Sequence, residues 1–165
     1  MKRTLFTLAV AVAALSAAPV SVGAIGRNPA LPIASRTPGA INRSITQANI
    51  GSTICVTGYT KSVRPSSSYT RSLKISQLAS GYAIGNDRST AHYEEDHLIS
   101  LELGGSPTAP ANLWPEPYLI ASGARTKDTL ENTLHRLVCS HVVALSVAQR
   151  AIATNWLVAY NRYVG

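Results

Sequence analysis

Leu130, Leu134, Leu137 and Val138 fall at i, i+4, i+7 and i+8. That is the apolar stripe of an amphipathic helix, and it predicts a helix over residues 124–139. Ile152, Trp156, Ala159 and Tyr163 repeat the pattern at i, i+4, i+7 and i+11 and predict a last helix starting at Ser146. There Ser146-Val147-Ala148-Gln149 reads as a capping box, and the aromatic stripe reads as core. Upstream the period changes to two. Over residues 92–103, Tyr93, Glu95, His97 and Ile99 alternate with Glu94, Asp96 and Leu98, which predicts a strand with adjacent residues on opposite faces. Gly104-Gly105-Ser106-Pro107 reverses the chain, and Asn112-Leu113-Trp114 starts the return. Pro115 and Pro117 are expected to stop longer pairing.

Earlier segments carry weaker patterns. Leu73, Gln77 and Leu78 sit near helical spacing and predict a short helix over residues 69–78, between loops at 64–68 and 81–89. Residues 52–63 place β-branched and aromatic side chains around Gly58 and read as a short strand and turn. Residues 25–52 are rich in Pro, Gly, Asn, Ser and Thr and predict an extended, poorly ordered arm. At the N-terminus, Lys2-Arg3 precede an uncharged run from Leu5 to Ala18, and Val22-Gly23-Ala24 offers a small-residue cleavage site. Residues 1–24 therefore read as a signal peptide, with the run too short for a membrane span. The expected address is secreted or periplasmic, with no membrane association after cleavage. The remainder divides into the arm (25–52) and one domain (53–165).

Charge sharpens this picture. The chain has a formal net charge of +7. Arg27, Arg36, Arg43, Lys61, Arg64, Arg71 and Lys74 precede the first acid of the exported part, whereas Glu94, Glu95, Asp96 and Glu102 crowd one short window. A basic arm beside an acidic pocket suits a polyanion held near a cation. Cys55 and Cys139 are the only cysteines. In an exported protein an even count predicts a disulfide. Lys127 projects into the apolar sector of its helix. Either its stem snorkels across the core, or its ammonium meets an acidic or phosphate group in a cleft.

Strand, Gly-Gly turn, strand and helix make a ββα order. The residues Glu95-Asp96-His97-Leu98-Ile99, Leu101-x-Leu103-Gly104-Gly105 and Asn112-Leu113-Trp114-Pro115 resemble the HNH, or ββα-metal, nuclease superfamily. Within it they are most similar to small exported bacterial proteins with an acid-Asp-His strand and an Asn-Leu-Trp-Pro return. The resemblance spans residues 93–139, under a third of the chain. It implies an α+β fold: a ββα-metal core with an N-terminal extended arm and a C-terminal helix. It further implies hydrolysis of phosphodiester bonds in nucleic acid, DNA ahead of RNA.

Carried onto this chain, the resemblance makes His97 the general base and Asp96 a ligand of one divalent cation. Asn112 would orient the His97 ring, or in some branches bind the metal. The chain departs from the family pattern at Ser100, where proline is usual, and in a late closing ligand. Candidates for that ligand are Glu131 first, then His135, then Asp128. An oxygen-rich set favours Mg²⁺ or Mn²⁺, and His135 would admit Zn²⁺. Lys127 and Arg64 are the expected substrate contacts. The rival reading is a non-catalytic secreted ββα module that binds an anionic polymer or surface.

Overall fold

The computed structural model describes residues 27–165; the expected signal peptide lies outside them. The fold mixes helix with one two-stranded antiparallel sheet. In chain order the elements are helix α1 (Tyr59–Val63), helix α2 (Ser67–Gln77), strand β1 (Tyr93–His97), strand β2 (Leu113–Pro117), helix α3 (Ala124–Cys139) and helix α4 (Leu145–Tyr163). The α+β class and the ββα order of β1, β2 and α3 agree with the sequence reading. No helix among the described residues is long and apolar enough to cross a membrane.

The core gathers the predicted stripes. Leu130, Leu134 and Val138 of α3 and Ile152, Trp156 and Ala159 of α4 are all buried in one cluster with Leu98, Leu103 and Trp114. The helix over 124–139 has the bounds its periodicity predicts. The last helix does not start on a capping box. Ala144 is its N-cap, and the Leu145 amide donates to Gln47 Oε1 at 2.7 Å. Gln149 instead reaches Leu103 O at 2.9 Å, because a buried amide finds a partner across the core. Asn155 breaks α4 with extended φ/ψ. Its Oδ1 accepts from the Leu157 and Val158 amides and so restarts the helix as an internal cap.

Five further expectations change. β1 ends at His97 rather than running to residue 103, where a 3-10 turn (Leu101–Leu103) intervenes. Pro115 and Pro117 do not stop the ladder: Tyr93 pairs with Pro117 and Glu95 with Pro115. The Leu98 amide donates to Asn112 O, and the Tyr118 amide to His92 O. This register places both prolines at non-hydrogen-bonded pairs, where an antiparallel strand needs no N–H. Residues 52–63 form turns and α1 rather than a strand, and no partner strand lies beside them among the described residues. Residues 27–52 hold no strand but are packed. Ala30, Ile45 and Ile50 are buried, Trp156 Nε1 donates to Ala30 O at 2.7 Å, and the Asn42 amide bonds Gly104 O. Apolar residues scattered among the turn formers anchor this arm to the core. α2 starts two residues earlier than predicted, because the Ser66 hydroxyl accepts from the Tyr69 amide.

Cys55 and Cys139 form the expected disulfide, with Cα atoms 5.7 Å apart and a separation of 84 residues. It ties the irregular segment before α1 to the end of α3. Replacing both cysteines by alanine is expected to cost on the order of 4 kcal/mol. Urea unfolding reads this as a lower midpoint, with a steeper slope because the unfolded chain without the cross-link exposes more surface. An unchanged midpoint would deny the bridge a stabilising role.

Candidate active site

β1 and β2 pair in the register Asp96–Trp114 and His97–Leu113, so the two residues of the Asp-His motif leave the strand on opposite sides. They nevertheless share a cavity, because the strand stops at His97 and the chain bends. A cavity of about 180 Å³ is lined by Asp96, His97, Glu102, Asp128, Glu131 and Arg64. A second, of about 460 Å³, is lined by His97, Glu95, Arg64, Arg71, Lys74 and Tyr118, among others. His97 and Arg64 border both.

The His97 ring is 4 % exposed as part of its residue and is held by one bond, from Nε2 to Pro107 O at 2.9 Å. A carbonyl oxygen only accepts, so Nε2 carries the proton and Nδ1 keeps its lone pair. Burial lowers the imidazole pKa below 6.5; the Pro107 bond and the Asp96 charge offset this in part. The result is a neutral imidazole of fixed tautomer at pH 7, the form a general base needs.

Asn112 makes no hydrogen bond to that ring. Its Oδ1 accepts from the Ile99 amide at 2.9 Å and the Ala40 amide at 3.3 Å, while Nδ2 donates to Ile99 O and Ser106 O. All of its strong hydrogen-bonding directions are spent on backbone, so it neither orients His97 directly nor ligates an ion. It clamps the loop that carries Pro107 O, and thus acts on His97 through that carbonyl. Gly104 and Gly105 complete the clamp. Gly104 takes a left-handed φ of 70°. A Cβ on Gly105 would lie 1.8 Å from Ile99 O, so no side chain fits there.

Lys127 resolves the alternatives left by its helix position. It is 0 % exposed, and Nζ donates to Asp96 Oδ2 at 2.6 Å, to His97 O at 2.8 Å and to Glu131 Oε1. An ammonium has three donors; all are used inside the protein, so Lys127 is not a direct substrate contact. Burial alone would lower its pKa, but Asp96 and Glu131 override this and raise it well above 10.5. The ammonium in turn holds Asp96 below its ordinary value, against the effect of burial. Glu116, missed by the sequence reading, is fully buried. Burial raises its pKa well above the usual range, with the Asp96 charge adding to the rise, and both of its carboxyl oxygens are buried without a hydrogen-bond partner. Burial also pushes Glu131 up, with Lys127 opposing.

The expected metal ligands do not converge. Asp96 and Glu131 meet, but on the Lys127 ammonium. His135 donates from Nε2 to Ile54 O at 2.9 Å and lines a different cavity, beside Cys55 and Glu102. Asp128 lies on the cavity wall with Glu102. Among the described residues, three ligand-bearing side chains come within metal-binding reach only at Cys55, His135 and Cys139, whose sulfurs are spent in the disulfide. The donor set therefore does not fit the divalent ion that the resemblance implies. An ammonium already neutralises Asp96, and a second cation beside it would be repelled.

The larger cavity holds what sequence reasoning missed. Ser67, Thr70, Arg71 and Lys74 share one face of α2 by their i, i+3 and i+4 spacing and line it. Recognition of the Ser66 cap would have revealed that face. Arg64 and Arg71 pair with no carboxylate among the described residues. Lys74 Nζ holds the start of β1 through Thr90 O and Tyr93 O. Glu95 shares the His97 face of β1. Both of its carboxyl oxygens are buried without a hydrogen-bond partner, and burial raises its pKa to about 8.

A carboxyl raised from 4.5 to about 8 binds more protons in the folded than in the unfolded state between those values. Stability then falls as pH rises through that window. The melting temperature is expected to be higher at pH 5.5 than at pH 8.5, with a shallower slope in Glu95→Gln. A slope unaltered by that substitution would contradict a neutral Glu95.

The chain matches no family model, no curated protein and no solved structure.

Proposed function

We propose that this protein is an exported nuclease that hydrolyses phosphodiester bonds in DNA, with His97 as general base. The carrying observation is the His97 ring: Nε2 is committed to Pro107 O, and the ring lines a cavity beside Arg64, Arg71 and Lys74. Those cations suit the backbone of a nucleic acid, and Arg64 and Arg71 offer planar donor forks for phosphate oxygens. Nδ1 takes a proton from water as the water oxygen bonds to phosphorus. The phosphorus–oxygen bond to the departing sugar breaks, and that oxygen takes a proton from solvent. The imidazolium then releases its proton, which balances the account: one diester and one water yield a monoester and an alcohol. The ββα order and the Asp-His to Asn-Leu-Trp-Pro resemblance support the HNH-like reading. The disulfide supports an oxidising compartment, and the expected signal peptide supports export.

The test is nicking of supercoiled plasmid by the purified protein, with RNA and small phosphodiesters as parallel substrates. Nicking is expected. Clean protein that never cuts, with or without Mg²⁺, Mn²⁺ or Zn²⁺, overturns the proposal. Salt-sensitive DNA binding retained in that case would favour the rival anionic-polymer module, since counterion release alone supports such binding.

A further inference from the structure

The Asp-His motif leads one to expect a divalent cation between β1 and the following helix, and a cation does stand there. It is the Lys127 ammonium, reached from α3 and held by Asp96 Oδ2, Glu131 Oε1 and the His97 carbonyl. This arrangement has the marks of a built site. The lysine is fully buried. Its acceptors come from β1 and from its own helix, one turn on. Glu116, two residues on from Trp114, the ladder partner of Asp96, lies buried on the same face of the sheet. The partners are oxygen ligands of the kind a hard cation takes, but one tethered charge uses them.

We infer that Lys127 is a resident cation standing in the place of the metal, so that the site takes up no divalent ion and His97 works without one. Lys127 is a positioning residue here. It fixes the end of β1 through Asp96 and through the carbonyl of His97 itself, and so sets the backbone from which the imidazole projects. It cannot reach a phosphate from its buried place. Charge on the scissile phosphate is instead met by Arg64 and Arg71, whose guanidinium groups pair with no carboxylate among the described residues and line the larger cavity. A monovalent, covalently tethered ion is not removed by a chelator and does not exchange with the medium. A nuclease built this way stays active where free divalent ions are scarce.

The inference about catalysis rests on the proposed nuclease activity, whereas the inference about ion binding does not, and the experiment keeps them apart. Binding of Mn²⁺ is followed by the electron paramagnetic resonance signal of the free ion, for the wild-type protein and for Lys127→Gln, Lys127→Arg and Lys127→Gln/Asp96→Asn. The wild type and Lys127→Arg should leave the free-ion signal intact. Lys127→Gln, with Asp96 and Glu131 released, should bind Mn²⁺ saturably, and the added Asp96→Asn should abolish that gain. In parallel, plasmid nicking by the wild type should be unchanged by EDTA. Saturable Mn²⁺ binding by the wild type that is lost in Asp96→Asn overturns the inference, and so does nicking that stops in EDTA and returns with Mg²⁺ or Mn²⁺. Should Lys127→Gln fail to fold, these two wild-type measurements still decide the matter. A wild type that binds no Mn²⁺ and never nicks would sink the nuclease reading and leave the resident cation standing.

Discussion

Replacement of His97 by alanine is expected to slow plasmid nicking by about 10²–10⁴-fold, the usual contribution of a general base. The imidazole is the one group at the junction of the two cavities with both a fixed tautomer and a lone pair to accept a proton at neutral pH. His97→Gln separates this role from a structural one. Its amide can still donate to Pro107 O, but it cannot act as a base, so it should fold like the wild type and cut as poorly as the alanine variant. A His97→Gln protein that keeps wild-type nicking would remove the general base from the mechanism. The pH profile adds a signature. Burial lowers the His97 pKa from 6.5, so the neutral form persists into mildly acid solution. The rate should fall with decreasing pH only below about pH 6.5. The acid limb should be absent from the residual activity of His97→Gln.

Lys127→Met should reduce stability at pH 7 by about 3–5 kcal/mol, the cost of breaking a buried ion pair from one side. The methionine fills similar volume, so the loss reports on charge rather than on a cavity. Asp96 and Glu131 would be left with no cation, and each would relieve the strain by taking up a proton. Their folded-state pKa values therefore rise in the variant, and its deficit should shrink as pH falls from 7 towards 5. Urea unfolding at the two pH values, followed by fluorescence of the buried Trp114 and Trp156, measures this. A loss under about 1 kcal/mol at both values, as for an exposed pair, would mean that the ammonium is not where the structure places it.

Much of the site frame was legible in the residues. The α3 stripe of Leu130, Leu134 and Val138 predicted both the helix and its buried face, because helical period forces residues four apart onto one side. Gly104-Gly105 marked the reversal between strands, and only glycine fits against Ile99 O. Lys127 was out of place on its own helix, and that misfit was the one sign of a buried partner. What stayed hidden depended on neighbours distant in sequence. The motif pairs Asn112 with His97, yet Asn112 is 0 % exposed and bonds four backbone groups, one of them Ala40 N from the arm. Glu116 between two prolines gave no hint of its burial on the Asp96 face of the sheet. His135 shares a helix face with Glu131 by spacing, but Ile54 O draws it away.

The sequence by itself determined the order of β1, β2, α3 and α4, the apolar faces that the two last helices bury, and the disulfide partners. These follow from local period, turn chemistry and a count of two cysteines, which need no knowledge of what lies across the core. The tertiary structure decided which charges meet. It set an ammonium from α3 against the carboxylate of β1, gave His97 its tautomer through a loop carbonyl, and brought α2 cations to the same cavity. A charge or hydrogen bond acts over a few ångströms, and only the packed chain determines which groups come that close.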